Sequence, residues 1–248
     1  MTDVEEIKEI FGHIKDLMTA HKEMGMEPPP VSKEALDYMA REVSEARAYP
    51  GQSDSPESLE DLREVLGDCK RCKLHKSRKK IVFGEGSPRA RLVFVGEGPG
   101  REEDLAGRPF VGEAGELLTR IIERGMGLTR DDVYICNVVK CRPPGNRDPE
   151  RDEIDACLPF LRRQISIIKP EVICTLGRIS TQELLKREIK ITRERGKWSS
   201  FMDIPLMPTY HPAYIVRNPS RGRELKGQVW EDIKKIMRHL GLEVKKND

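Results

Sequence analysis

Short apolar runs alternate with amphipathic segments along most of the chain, and this alternation predicts its architecture. The run Arg91-Leu92-Val93-Phe94-Val95 is typical of a buried strand, because nearly every position is apolar. Four such strands are predicted, at 91–95, 133–138, 171–176 and 204–208. Apolar positions with helical spacing follow the strands, over 113–125, 150–168, 178–187 and 223–240. The pattern predicts an α/β domain over 59–241, with a mostly parallel four-stranded sheet covered by helices on both faces.

The first part of the chain, residues 1–58, has a different pattern and is predicted to be a helical extension. Apolar positions with helical spacing, interrupted by three prolines, predict two helices, over 4–24 and 33–47. A stretch with linker composition follows, over 49–56. Ser58 is the predicted N-cap of a further helix that runs to Cys69. The last residues, 242–248, form a charged tail, and neither terminus carries candidate chemistry.

Composition limits the classes of protein to which the chain can belong. The chain has 248 residues with 37% hydrophobic content, which is enough for one sizeable core. No stretch approaches the ~20 apolar residues of a membrane helix, and the acidic amino terminus lacks a signal-peptide pattern. We therefore expect a soluble, intracellular (cytoplasmic) protein. The charged fraction of 35%, with few Asn and Gln, resembles the composition of proteins from thermophiles.

Charge is distributed unevenly, although the net charge is only +2. A basic run extends from His75 to Arg91, and a second one follows His211. Such runs suit contacts with the phosphates of nucleic acid. The alternative is a solvated surface, which is the commoner role of a charge run.

A glycine-rich turn, Gly96-Glu97-Gly98-Pro99-Gly100, follows the first predicted strand. Glycine allows a sharp turn and the close approach of a ligand, and ligands of open α/β sheets bind at the carboxyl ends of the strands. A second glycine-flanked loop, 107–112, follows soon after. The turn alone is weak evidence, because a plain strand-to-helix connection has the same pattern.

The six cysteines fall into two groups. Cys136 and Cys174 lie in predicted core strands and are interpreted as small buried apolar residues. The other four have metal-ligand spacing, with a C-x2-C pair and two single positions: Cys69, Cys72, Cys141 and Cys157. Zinc and an iron–sulfur cluster both accept four thiolates, so spacing leaves the metal open. Four unrelated thiols are the remaining alternative.

Four motifs, in order and together with these cysteines, give the sequence a family resemblance. Between about Leu59 and Leu240 it resembles the family-4 uracil-DNA glycosylases, the iron–sulfur type of archaea and thermophilic bacteria. The segments that carry the resemblance are Gly96-Glu97-Gly98-Pro99-Gly100, Gly107-Arg108-Pro109-Phe110-Val111-Gly112, Asn137-Val138-Val139-Lys140-Cys141-Arg142-Pro143-Pro144 and His211-Pro212-Ala213-Tyr214-Ile215-Val216-Arg217. Residues 1–58 are outside the family pattern.

The resemblance implies a three-layer αβα fold and a 4Fe–4S cluster held by Cys69, Cys72, Cys141 and Cys157. The cluster is expected to be structural and to fix loops beside the DNA. The implied partner is uracil-containing DNA, single- or double-stranded, and we expect a monomer. The sequence identifies no protein partner.

Within the resemblance, three side chains suit a uracil that has been flipped out of the DNA. Phe110 supplies a stacking face. Asn137 can accept from uracil N3–H and donate to O4, a pattern that cytosine reverses. His211, together with backbone N–H groups of Gly96, Glu97 and Gly98, can donate to O2 as negative charge develops there. The structural alternatives are a core phenylalanine, a turn-capping asparagine and a structural histidine.

The remaining candidates are two carboxylates and a DNA-binding segment. Glu97 and Glu103 can each orient water or stabilise a cationic sugar, and Glu103 can instead exclude the methyl group of thymine. The sequence does not choose between these roles. The segment Tyr214-Ile215-Val216-Arg217 is predicted to fill the gap left by the flipped base and to contact phosphate. Inward packing of Ile215 and Val216 is the alternative.

These observations predict a DNA-repair enzyme that hydrolyses the N-glycosidic bond of uracil and leaves an abasic site. It is expected to be monofunctional, because no lysine is placed as an obvious Schiff-base nucleophile. A non-catalytic iron–sulfur or zinc DNA-binding module is the first alternative. A nucleotide-binding α/β protein is the second, and the glycine turn lacks the phosphate-binding patterns of that class.

Overall fold

The computed structural model describes residues 58–244. The predicted helices of the extension, its linker and most of the charged tail lie outside the described residues. Within the described part, no helix is long and apolar enough to cross a membrane.

Six strands and eight α-helices make up most of this part of the chain. The strands are β1 Glu85–Gly86, β2 Leu92–Gly96, β3 Tyr134–Asn137, β4 Val172–Leu176, β5 Ser199–Phe201 and β6 Ile204–Thr209. The α-helices are α1 Leu59–Leu66, α2 Arg101–Ala106, α3 Glu113–Arg120, α4 Arg151–Ile168, α5 Arg178–Leu185, α6 Ile191–Glu194, α7 Pro212–Val216 and α8 Gly222–His239. A π-helical turn extends α3, over Ile121–Met126.

The six described strands form one sheet in the order β1-β3-β2-β4-β6-β5. The four central strands are parallel, and the two edge strands, β1 and β5, are antiparallel to their neighbours. The prediction of an α/β fold is confirmed, and the predicted strands and longer helices are present with small shifts in their ends. The predicted strand number of four was too low, because β1 and β5 are too short and too polar to show a periodic pattern.

Helices cover both faces of the sheet. Alternate residues of each strand point to opposite faces, so each strand packs against both helical layers. Phe94 and Ile135 belong to a core cluster that includes side chains of α3 and α8. On the opposite face, Tyr134 accepts a hydrogen bond from Gln164 of α4, and Thr175 bonds to Thr181 of α5. The arrangement is the expected three-layer αβα sandwich.

Helix α1 begins where the sequence predicts. Ser58 accepts from the backbone N–H of Asp61, and Asp61 accepts from the backbone N–H of Ser58, which completes a capping box. The helix ends at Leu66 with Gly67 as its C-cap, earlier than the predicted end at Cys69. Cys69 therefore lies in a loop beyond the helix.

The carboxyl ends of the parallel strands meet along one edge of the sheet. Strand β2 lies between β3 and β4, so the chain leaves β2 in one direction and β4 in the other. This reversal of strand order opens a crevice at the sheet edge, where α/β proteins bind ligands. The glycine-rich turn after β2 and the Gly177–Arg178 connection after β4 form its walls.

Candidate active site

A cavity of about 580 Å³ lies at this edge of the sheet. It brings together residues from the carboxyl ends of the four parallel strands and from the loop that contains Phe110. The candidate residues that line it are Glu97, Gly98, Glu103, Phe110, Asn137, His211, Tyr214 and Arg217. Gly96 also belongs to the site, because it packs directly against Asn137 and Phe110.

Close packing around Gly96 leaves no room for a side chain at this position. A Cβ atom at this position would lie 2.4 Å from Asn137 Oδ1 and 2.6 Å from Phe110 Cζ. Gly98 is similarly restricted, because its Cβ would lie 2.7 Å from Val139 Cγ2. Gly96 therefore allows the side chains of Phe110 and Asn137 to approach the strand end, and Gly98 allows the close approach of Val139.

Asn137, the last residue of β3, is buried and has an unpaired side-chain oxygen. Within the described residues, Asn137 Oδ1 has no hydrogen-bond partner, although it is inaccessible to solvent. Its backbone carbonyl accepts a hydrogen bond of 2.7 Å from Nζ of the buried Lys140, which also donates to Gln164. A buried unpaired carbonyl costs about 1–3 kcal/mol, so a ligand that donates to it gains specificity.

Phe110 is held in a backbone conformation that is uncommon for a non-glycine residue, with φ of 53°. Arg130 donates to the carbonyls of Pro109 and Phe110, at 2.8 and 3.1 Å. On the other side of the loop, Glu103 Oε1 accepts from the backbone N–H groups of Val111 and Gly112, at 3.1 and 3.2 Å. The loop is fixed from both sides, so the ring has a set position.

The ring of His211 stacks against the ring of Phe110 at the cavity wall, with ring centroids 5.5 Å apart and an interplanar angle of 29°. Its Nδ1 accepts a hydrogen bond of 3.1 Å from the N–H of Ala213. This bond assigns the ring proton to Nε2 in the neutral side chain. Burial and the positive charge of Arg217 lower the pKa of His211 to about 4. At neutral pH the side chain is therefore an uncharged donor.

The two candidate carboxylates have different environments. Burial, with the nearby charge of Asp148, raises the pKa of Glu97 to about 7, against the opposing effects of Arg178 and Arg217. The Glu97 carboxylate forms no hydrogen bond within the described part of the chain. Glu103 is instead bonded to the loop that carries Phe110. Of these two carboxylates, Glu97 is the one without hydrogen bonds among the described residues, whereas Glu103 is bonded to backbone N–H groups of the Phe110 loop.

The candidate DNA-binding segment divides between the core and the surface. Tyr214 and Arg217 line the cavity, and Arg217 is exposed. Ile215 is only 3% exposed and belongs to the core cluster, while Val216 packs against that cluster and is partly buried. The prediction that Ile215 enters the DNA does not agree with this placement, because α7 turns Ile215 towards the interior. The inward-packing alternative describes this residue.

The four spaced cysteines lie near one another on the same side of the domain. The charges of Cys72 and Cys69 act on the Cys141 thiol, and those of Cys141 and Cys72 act on Cys157. Burial raises the pKa of Cys141 to about 11 and that of Cys157 to about 12. Within residues 58–244, no three His, Cys, Asp or Glu side chains converge as ligands of one metal ion.

Cations surround these thiols. Arg78 contacts Cys141 Sγ at 3.5 Å, and Arg71 contacts Cys69 Sγ at 3.3 Å. The backbone N–H of Lys140 donates to Cys157 Sγ at 3.3 Å. Positive charges and N–H donors of this kind stabilise thiolates, so the donor set fits a thiolate-ligated group. Cys136 and Cys174 are buried in β3 and β4, as predicted.

Several residues that shape the site could not be found from the sequence. Arg130 follows α3 and its π-helical turn, and nothing in the sequence links it to Phe110. Lys140 lies in a recognised motif, but its burial and its bond to Asn137 are visible only in the structure. Asp148, from the loop before α4, and Arg178, the first residue of α5, meet near Glu97.

The cavity is chemically suited to a flat, uncharged ring with hydrogen-bonding edges. One wall offers the face of Phe110, the floor offers an unpaired amide oxygen, and His211 provides a neutral donor. These features define an α/β protein with a candidate catalytic site for a nucleobase at its sheet edge.

Comparison with known proteins identifies the family. Residues 83–234 match the model of the uracil DNA glycosylase superfamily. The chain is 51% identical to the Type-4 uracil-DNA glycosylase of Sulfurisphaera tokodaii, over 73% of this chain and 84% of that protein. It is 47% identical to the enzyme of the same name from Saccharolobus solfataricus, over 74% and 87% of the two chains. It is also 48% identical to the Type-4 uracil-DNA glycosylase of Thermotoga maritima, over 72% of this chain and 93% of that protein.

This chain therefore belongs to the uracil-DNA glycosylase superfamily, and the predicted resemblance to its family-4 members is confirmed.

Proposed function

We propose that this protein is a monofunctional uracil-DNA glycosylase, which releases uracil from DNA and leaves an abasic site. The observation that carries the proposal is the buried, unpaired Oδ1 of Asn137, which lies with the ring of Phe110 against Gly96. Uracil N3–H is a donor of the kind this oxygen lacks, and its flat ring suits the stacking face. A non-catalytic DNA-binding module would need neither feature.

The side-chain amide of Asn137 explains how the site would discriminate uracil from cytosine. Asn137 Oδ1 accepts from uracil N3–H, while the amide N–H₂ donates to O4. Cytosine presents an acceptor at N3 and a donor at N4, so it would leave the buried amide mispaired. Mispairing of this kind costs about 1–3 kcal/mol, in addition to the cost of flipping the nucleotide.

Hydrolysis requires stabilisation of charge at two places. As the bond between C1′ and N1 breaks, its electron pair leaves with uracil and the sugar becomes cationic. His211 Nε2–H donates to uracil O2 and stabilises the anion without giving up its proton, because the neutral imidazole is a weak acid. Preorganised donors of this type contribute roughly 3 kcal/mol each.

Glu97 is the group proposed to activate the attacking water. In its ionised form it accepts a proton from the water whose oxygen bonds to C1′, and its charge favours the cationic sugar. Glu97 then releases this proton to solvent while the uracil anion takes one up from solvent, so the carboxylate is regenerated and the reaction balances. Because Glu103 is bonded to two backbone N–H groups, its proposed role is to hold the Phe110 loop.

The DNA contacts are assigned to the exposed part of the 214–217 segment. Tyr214 borders the cavity and would occupy the space beside the flipped nucleotide, while Arg217 would contact a phosphate. Val216 is available only in part, and Ile215 supports the segment from the core.

A 4Fe–4S cluster is proposed on Cys69, Cys72, Cys141 and Cys157. The proposal is supported by four thiols that influence one another, by the cations around them and by the Type-4 name of the relatives. A cluster distributes its four thiolates over four iron atoms, so its ligands need not converge as those of a single ion do. When bound, it would cross-link the loop after α1, the loop after β3 and helix α4, and its role would be structural rather than catalytic.

The test is base release. Purified protein is incubated with duplex DNA that carries one U opposite G, and alkali then cleaves any abasic site. Scission is expected with uracil and not with a T·G duplex, and no scission is expected without alkali. Asn137→Ala should reduce release by at least 100-fold while DNA binding is largely retained. Release that survives in Asn137→Ala would contradict the site assignment.

A further inference from the structure

A second cavity, of about 510 Å³, opens beside the candidate active site. We call it the cationic groove, because four cations and two carboxylates line it: Arg178, Arg187, Lys190, Arg193, Glu188 and Glu194. Once the pairs Arg178–Asp148 and Arg187–Glu194 are counted, Lys190 and Arg193 against Glu188 leave an excess of one positive charge. Apart from Arg178, whose charge acts on Glu97, these residues have no part in the base-release chemistry described above.

Two of the cations are already neutralised. Arg178 pairs with Asp148, and Arg187 pairs with Glu194 at 2.7 Å. Lys190 and Arg193 are exposed, and among the described residues their side chains form no ion pair or hydrogen bond. These two side chains are therefore available to an external anion.

The groove is continuous with the candidate active site. Arg178 lines both cavities, at the point where the chain leaves β4. Around α6, Ile191 and Thr192 face the active-site cavity, whereas Lys190 and Arg193 face the groove. A chain of phosphates that leaves the active site along α6 therefore passes over the two available cations.

We propose that the cationic groove binds the phosphates of the DNA strand on one side of the flipped nucleotide, with Lys190 and Arg193 as the principal contacts. The proposal rests on the proposed function and extends it, because it states where the flanking strand lies. DNA is the expected occupant because its phosphates are spaced along a strand, as the cations are along the groove, and a flipped nucleotide fixes where the strand begins.

The experiment measures binding to single-stranded DNA that carries a tetrahydrofuran abasic analogue, which cannot be hydrolysed. The DNA has long flanks on both sides, or one flank shortened to a single nucleotide. The test variant is Lys190→Gln/Arg193→Gln. The matched control is Arg89→Gln/Lys169→Gln, which removes two exposed cations at the opposite edge of the sheet, before β2 and β4. Circular dichroism verifies that each variant is folded.

In the wild-type protein, shortening one of the two flanks should weaken binding, and the test variant should bind long and shortened DNA alike. The plot of log K against log salt concentration should be shallower by about 0.7 for each phosphate that is no longer neutralised, or about 1.4 for the double variant. The control should keep the wild-type slope. Equal slopes for test and control variants, or no effect of either flank in the wild type, would overturn the proposal.

Uracil release by the wild-type protein is measured in parallel. If release fails, the proposed function fails. If release occurs while the test variant matches the control, the groove proposal alone fails.

Discussion

At the scale of single residues, burial shifts His211 and Glu97 in opposite directions. Loss of water disfavours the charged form of any group, so it lowers the pKa of an imidazole and raises that of a carboxyl. The pKa of His211 falls to about 4 and that of Glu97 rises to about 7. At neutral pH the cavity therefore holds an uncharged donor and a carboxyl group that changes protonation state near that pH.

This difference predicts the pH dependence of uracil release. Only the ionised form of Glu97 accepts a proton from water, so the rate should rise with pH and level off above about 7. His211 stays neutral through this range, because it is protonated only below about 4. Glu97→Gln should lose the inflection near pH 7 and be slower by about 10²–10⁴-fold. Single-turnover release of uracil, measured across the pH range, tests this expectation.

Glu103→Gln is the matched control for the pH profile. Its amide oxygen can still accept from the loop N–H groups, so the inflection near pH 7 should remain. An inflection that persists in Glu97→Gln, or that disappears in Glu103→Gln, would show that Glu97 is not the group that activates the water.

At the scale of elements, the loop around Phe110 is fixed by two side chains from different parts of the chain. Glu103 of α2 binds its N–H groups, and Arg130, from the segment between α3 and β3, binds its carbonyls. Arg130 is itself paired with Glu85 of β1, at 2.6 Å. Edge strand β1 thus contributes to the site although it has only two residues.

Arg130→Met should weaken this loop and the fold together. The substitution leaves Glu85 without one of its partners and frees the carbonyls of Pro109 and Phe110, with a decrease of about 3 kcal/mol in unfolding free energy. Uracil release should slow mainly through weaker substrate binding, because Phe110 no longer has a set position. Chemical denaturation and the split between KM and kcat measure the two effects.

Arg120→Met provides the comparison. Arg120 is exposed and its ion pair with Glu116 is 3.7 Å long, so its removal should change stability by less than about 1 kcal/mol. If the two variants are equally stable, or if Arg130→Met has unchanged KM, the proposed clamp on the loop is wrong.

At the scale of the whole molecule, sequence patterns predicted the elements that are long or fully buried. The four parallel strands appear as apolar runs because both of their faces are covered. Strands β1 and β5 were missed because two or three edge residues carry no period. Burial of Ile215 also depends on how a single short helix, α7, is turned, and a five-residue helix gives too little pattern to decide.

Those parts of the candidate site that directly follow the end of a strand could be predicted from the sequence. Asn137, His211 and the glycine turn each follow an apolar run, and parallel strands bring such positions to one edge. The role of Glu103 was not predictable, because a bond to a loop eight or nine residues away leaves no sequence signal. The pKa of Glu97 likewise depends on burial and on Asp148, which approaches from another loop.

The proposed cluster links regions that are distant in the sequence, so its removal should affect the whole domain. Protein purified without oxygen should contain about four iron atoms per chain and absorb visible light. Cys157→Ser should lose most of the iron and unfold at a lower temperature, because α4 is no longer joined to the loops after α1 and β3. Cys174→Ala removes a buried thiol from a core strand, so it should keep the iron while losing some stability to the cavity it leaves. Full iron content in Cys157→Ser, or one zinc and no iron in the wild-type protein, would contradict the assignment of the four cysteines.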